Sequence, residues 1–119
     1  MILIIWGHPV GKPRMTRSDA WKQRPCVMKY WAWCDVARSL CGRTTKIILE
    51  KPTELTVRAF FQSPKGKPRI GPHTVKPDGD NVLKAVADAL FENDQMIYRM
   101  HSEKFWAATS NARVEVEWQ

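Results

Sequence analysis

The chain contains no apolar run long enough to cross a bilayer, no CxxC pair, no internal repeat and no domain linker. The first absence argues against a membrane span. The second leaves Cys26, Cys34 and Cys41, odd in number and unevenly spaced, as reduced thiols rather than a disulfide framework or a zinc site. Without repeats or linkers, residues 1–119 read as a single domain. The histidines, His8, His73 and His101, are scattered and form no ligand cluster. The opening "MILIIW" is short and lacks a basic leader, so it reads as a first strand rather than a signal peptide, and the expected location is cytoplasmic. Acid is also scarce, with twelve Asp and Glu against nineteen Lys and Arg.

Six tryptophans and a hydrophobic fraction of 44% indicate a packed globule rather than a disordered chain. A net charge of +7 suits a polyanionic partner. Nucleic acid comes ahead of a membrane surface, because no basic amphipathic helix is visible. The charge is unevenly placed. Lys12, Arg14, Arg17, Lys22, Arg24 and Lys29 crowd the first thirty residues beside one acid, Asp19. A second basic segment, "SPKGKPRIGPHTVK", carries Lys65, Lys67, Arg69 and Lys76 without any acid. Both are rich in Pro and Gly, and so read as arms or loops. Over residues 78–94 the balance inverts, with Asp78, Asp80, Asp88, Glu92 and Asp94 against Lys84 alone.

Periodicity places the elements. "ILIIW" is a strand, and "MKYWAWCDVARSLCG" is a helix with Tyr30, Cys34, Ala37 and Cys41 at helical spacing and Gly42 as its stop. "TTKIILEKP" is either a short strand or a connector. "ELTVRAFFQ" alternates Leu55, Val57, Ala59 and Phe61 with more polar neighbours, a strand with one buried face. A helix from Asp80 to about Phe91 follows, then "QMIYRMHSEKFW" and "ARVEVEW". "TSN" between these last two suggests a hairpin. The order predicts a small α/β (α+β) fold, a mixed four-stranded sheet packed with two main helices. Of the indoles, Trp31, Trp33, Trp106 and Trp118 read as core. Trp21, within the basic "TRSDAWKQR", is placed to touch unpaired bases.

The acids of "KPDGDNVLKAVADAL" carry the chemistry. At about 100° per residue, Leu83, Val86, Ala87 and Leu90 form the buried face of this helix, while Asp80, Lys84 and Asp88 share another stripe. Pro77 and Gly79 can bend the chain so that Asp78 and Asp80 meet. An N-cap, a favourable helix dipole and a surface ion-pair ladder account for one aspartate. Two aspartates flanking a glycine, with Asp94 beyond the helix, exceed what capping requires. Converging carboxylates repel unless a cation joins them, and magnesium prefers such oxygen ligands. Beside phosphate-binding loops this pattern predicts metal-dependent phosphodiester cleavage. Lys84 is placed either to steady transition-state oxygens or to assist the leaving group.

The same residues resemble the signature of the RusA-type Holliday junction resolvases: an Asp-x-Asp-Asn pair, a lysine four residues after the second aspartate, and an Asp-Ala-Leu ending. "FENDQMIYRMHSEK" is similar to that family's Asp-Asp-x-Gln-Val segment, and "GKPRMTR" to its basic N-terminal part. The resemblance implies a homodimeric, magnesium-dependent endonuclease of phage or prophage type, with manganese as a substitute, that resolves four-way junctions in DNA recombination and repair by paired symmetric nicks. Asp78, Asp80 and Asp94 would then be the metal ligands and Lys84 the catalytic lysine. Two departures fall at the last acid: the paired acids become Asn93-Asp94, and Met96 stands where glutamine is usual. Asp88 and Glu92 are the substitutes for Asp94. Lys12, Arg14, Arg17, Lys65, Lys67, Arg69 and Lys76 are the expected contacts to branched DNA, holding phosphate with little sequence reading. Two other readings stay open, a catalytically inactive branched-DNA-binding protein and an RNA-binding protein whose acidic helix is merely capped.

Overall fold

The computed structural model describes residues 1–108 and 111–119. Strands β1 (Ile2–Trp6), β2 (Thr53–Gln62), β3 (Ile97–Ala107) and β4 (Arg113–Trp118) form one mixed sheet. Helices α1 (Pro25–Leu40) and α2 (Gly79–Leu90) touch each other as well as the sheet, so both cover the same face. The α+β architecture read from the sequence is the observed one.

Local chemistry sets the element ends. Pro25 occupies the first turn of α1, where its missing N–H costs nothing, and this extends the helix one turn before the expected "MKYW" start. Gly42, at φ +68°, closes it, with the Arg43 N–H donating to the Arg38 carbonyl at 3.1 Å. Residues 44–52 are a connector, pinned by Ile47. Its N–H donates to the Leu90 carbonyl at 2.6 Å, satisfying an orphan acceptor at the end of α2, and its carbonyl accepts from the Glu92 N–H at 2.9 Å.

Alternation in β2 and β4 works as expected. Leu55, Val57, Ala59 and Phe61 join Val114, Val116 and Trp118 in the core. The buried face of α2 is wider than the sequence suggests, because the helix meets the sheet below and α1 at its side. Val82, Ala85 and Ala89 are buried with Val86, Ala87 and Leu90, while Leu83 is half-buried. Cys34 is buried, Cys41 half-buried and Cys26 exposed, and all three are free thiols.

The strand order, β1-β4-β2-β3, corrects the expected hairpin. β3 and β4 run antiparallel, but β2 lies between them, parallel to β3 and antiparallel to β4. The "TSN" turn falls largely on residues 109 and 110, outside the described residues. β4 buries Val114, Val116 and Trp118 and suits the sheet interior, whereas β3 exposes four consecutive residues, Tyr98–His101, and suits an edge.

Part of that edge is closed by the basic loop returning from β2. Pro72 bridges Phe105, and the His73 N–H donates to the Lys104 carbonyl at 3.0 Å. The buried His73 ring stacks on Phe61 at 3.8 Å and meets Trp106 at 4.4 Å, its Nδ1 without a hydrogen-bond partner among the described residues. Burial, with Lys104, His8 and Arg69 adding positive charge, pushes this imidazole below its ordinary 6.5. The unfolded chain therefore binds the extra proton first, and stability falls as pH drops below about 6.5. Thermal melts between pH 7 and 5 should show this loss in the wild type and a smaller one in His73→Phe. Equal losses would place the acid sensitivity elsewhere.

Candidate active site

The acid-bearing turn is held from below by β3. The Ser102 hydroxyl donates to the Gly79 carbonyl at 2.9 Å, and the Lys104 ammonium donates to the carbonyls of Pro77 at 2.7 Å and Val75 at 2.8 Å. From the other side the basic arm presses on it. A Cβ on Gly11 would come 2.7 Å from Cβ of Pro77, so only glycine permits this approach. The Lys12 N–H then donates to the Asn81 carbonyl at 3.1 Å.

Asp78 is the N-cap of α2, with extended backbone angles, yet its carboxylate makes no capping bond. Asp80 lies in the first turn. Both are exposed, as is Lys84 one turn further along. None of the three forms an ion pair among the described residues. The ladder Asp80–Lys84–Asp88 is therefore not realised. Asp88 pairs instead with the Lys12 ammonium, arriving from the arm.

Beside Asp78 lies a groove of about 450 Å³, whose cationic lining is Lys12, Lys29 and Lys76. Lys29, on α1, was visible in the sequence only as one charge among many. Lys104 and Ser102 were invisible as support for the acids, since nothing in a strand pattern says which carbonyl a side chain will reach. Arg14, Arg17, Lys65, Lys67 and Arg69 are exposed. The last three sit on a loop closed by Ser63, whose hydroxyl donates to the Arg69 carbonyl at 2.8 Å and accepts from the Arg69 N–H at 3.1 Å. The Arg69 guanidinium lies 5.3 Å from the Trp106 ring centre.

Asp94 stands apart. It opens the 3-10 turn Asp94–Met96 past the far end of α2, and a twelve-residue helix is about 18 Å long. Glu92 is at that same end, and Asp88 is committed to Lys12. Among the described residues no three His, Cys, Asp or Glu side chains gather to hold a metal ion. One chain thus carries Asp78 and Asp80 on the same turn at the start of α2, with Asp94 past its other end.

Asn93, where the sequence pattern suggested an acid, works as a structural clamp. Its amide donates to the Leu49 carbonyl and accepts from the Leu49 N–H, both at 2.8 Å. A carboxylate can accept but has nothing to donate. Asn93→Asp is therefore expected to lower stability by about 1–3 kcal/mol, read from urea unfolding. An unchanged midpoint would show that the clamp contributes nothing.

Two unengaged carboxylates at the positive end of a helix, beside a cationic groove, equip a protein to work on a phosphodiester backbone. Residues 7–118, nearly the whole chain, match the family model described as Endodeoxyribonuclease RusA, and the protein belongs to that family of Holliday junction nucleases. No curated protein and no solved structure matches it. Membership carries branched DNA as the substrate class. Among the described residues, no helix is long and apolar enough to cross a membrane.

Proposed function

We propose that the protein resolves four-way DNA junctions by paired symmetric nicks, with a divalent cation, magnesium or manganese in its place, held by Asp78 and Asp80. The observation that carries this reading is the pair of exposed carboxylates, free of ion pairs and capping bonds, on a turn fixed from two sides. Their donors are carboxylate oxygens, which suits a hard cation. Bound there, such an ion acidifies water and offsets charge on the scissile phosphate.

The chain's own residues do the rest. Lys29 and Lys76 line the groove where the backbone enters, with Arg14, Arg17, Lys65, Lys67 and Arg69 as further phosphate contacts. Lys12 contributes less to DNA than its charge suggests, because it neutralises Asp88. Lys84, exposed one turn from Asp80, steadies the oxygens that gain charge as the bond breaks.

The third acid comes from a second copy. Asp94 lies a helix length from Asp80 in its own chain, so its carboxylate joins the pair only across a dimer. A two-fold dimer also matches a two-fold junction, presenting equivalent sites to symmetric strands. The absence of a third acid near Asp78 within the described residues of one chain equally favours an inactive branched-DNA binder. Incubating the protein with a synthetic four-way junction separates the two readings. Symmetric nicks that need magnesium support the nuclease; binding without cutting at any divalent ion concentration supports the inactive binder.

A further inference from the structure

The chain leaves the rim of the Asp78 groove at Pro13 and returns to it at Cys26, since both residues line the groove. Between them it folds around one buried acid. Asp19 is only 4% exposed, and its carboxylate accepts from the Thr16 N–H at 2.7 Å, the Thr16 hydroxyl at 3.2 Å, and Nε and Nη2 of Arg24, both at 2.7 Å. The same guanidinium donates to the Arg14 carbonyl at 2.7 Å. The Lys22 and Trp21 N–H groups donate to the Ser18 carbonyl at 2.7 and 3.1 Å. Arg24, bonded to it, holds the Asp19 carboxyl well below the usual carboxylate range, so the pair is charged at neutral pH.

None of these bonds involves the Trp21 indole. It is 72% exposed, more than any other tryptophan among the described residues, with Arg17 and Lys22 exposed on either side. A large ring of this kind usually fills core volume or meets a partner. Here the hydrogen-bonded clasp leaves it in solvent, on the segment that joins Pro13 to Cys26 at the groove.

We propose that Trp21 is a base-stacking residue, its indole taking the face of an unstacked base at the branch point while Arg17 and Lys22 hold the flanking phosphates. The proposal rests on the reading of the protein as a junction nuclease and extends it to how shape is selected. In continuous duplex every base is covered by its neighbours, and the ring finds no free face. At a branch, stacking is interrupted and a face becomes available. Stacking is tolerant of sequence, because every base has a π-face.

The test uses a four-way junction carrying 2-aminopurine at the branch, without divalent ions, and a duplex of the same arms. The wild type should quench the probe and prefer junction over duplex. Trp21→Ala should lose the quenching and about ten-fold of the preference, in line with ~1–3 kcal/mol per stacked base, with Trp21→Phe in between. Arg17→Ala should weaken binding to both DNAs alike and lower the salt slope by about one. If Trp21→Ala keeps either the quenching or the preference, the stacking role fails while the nuclease reading stands. A wild type that binds neither DNA overturns both.

Discussion

Asp80→Asn is expected to bind a four-way junction as tightly as the wild type and to cut it roughly 10²–10³-fold more slowly, the size of effect seen when one group acting on the transition state is removed. The substitution keeps the shape of the side chain and removes its charge. Folding should be unaffected, because the Asp80 carboxylate is exposed and enters no ion pair among the described residues. Binding should persist because the cations of the groove and loops remain, and binding can improve once a negative charge beside phosphate is gone. Single-turnover cleavage in magnesium, with a gel-shift assay on the same preparation, checks both halves. If Asp80→Asn cuts as fast as wild type, the carboxylate pair has no part in the chemistry and serves only the terminus of α2.

The second large effect concerns Asp94. Asp80→Asn and Asp94→Asn should each be nearly inactive as homodimers, yet regain nicking when mixed and allowed to exchange subunits. In a mixed dimer one site carries both lesions. The other combines an intact Asp78–Asp80 pair with an intact Asp94 from the neighbouring chain. Random pairing leaves roughly a quarter of the sites complete, by counting over a two-fold dimer. The readout is single nicks rather than paired cuts, since each mixed dimer has one working site. An Asp94 acting within its own chain gives a different result: every site then carries a lesion, and mixing restores nothing. The separation of Asp80 and Asp94 by the length of α2 is the reason to expect recovery.

Much of this was legible in the residues. Two-residue alternation marked β2 and β4, helical spacing marked α1 and α2, and the spacing in "PDGD" drew attention to two aspartates at the start of α2, because these signals are local. What pattern could not deliver were long-range choices. Nothing in "ARVEVEW" says that β2 will lie between it and β3; that follows only once β4 needs burial on one face and β3 tolerates exposure at an edge. The pairing of Lys12 with Asp88 joins residues 76 apart in sequence. It joins two charges that the sequence offered separately, one as a phosphate contact and the other as a stand-in third acid. Asn93 likewise read as a degenerate acid, when its amide is the one side chain there able to serve both backbone groups of Leu49. The site was partly hidden for the same reason: Lys104 and Ser102 support the acids through carbonyls, which have no signature in sequence.

The close approach of Gly11 to Pro77 ties two distant stretches of the chain into one mechanical unit. A side chain at position 11 has no room unless the turn carrying the carboxylates retreats, so neither stretch can drift without a matching change in the other. Swapping the N-terminal arm between relatives to retune substrate preference would therefore disturb the reaction centre as well, unless the "KPDGD" turn travelled with it.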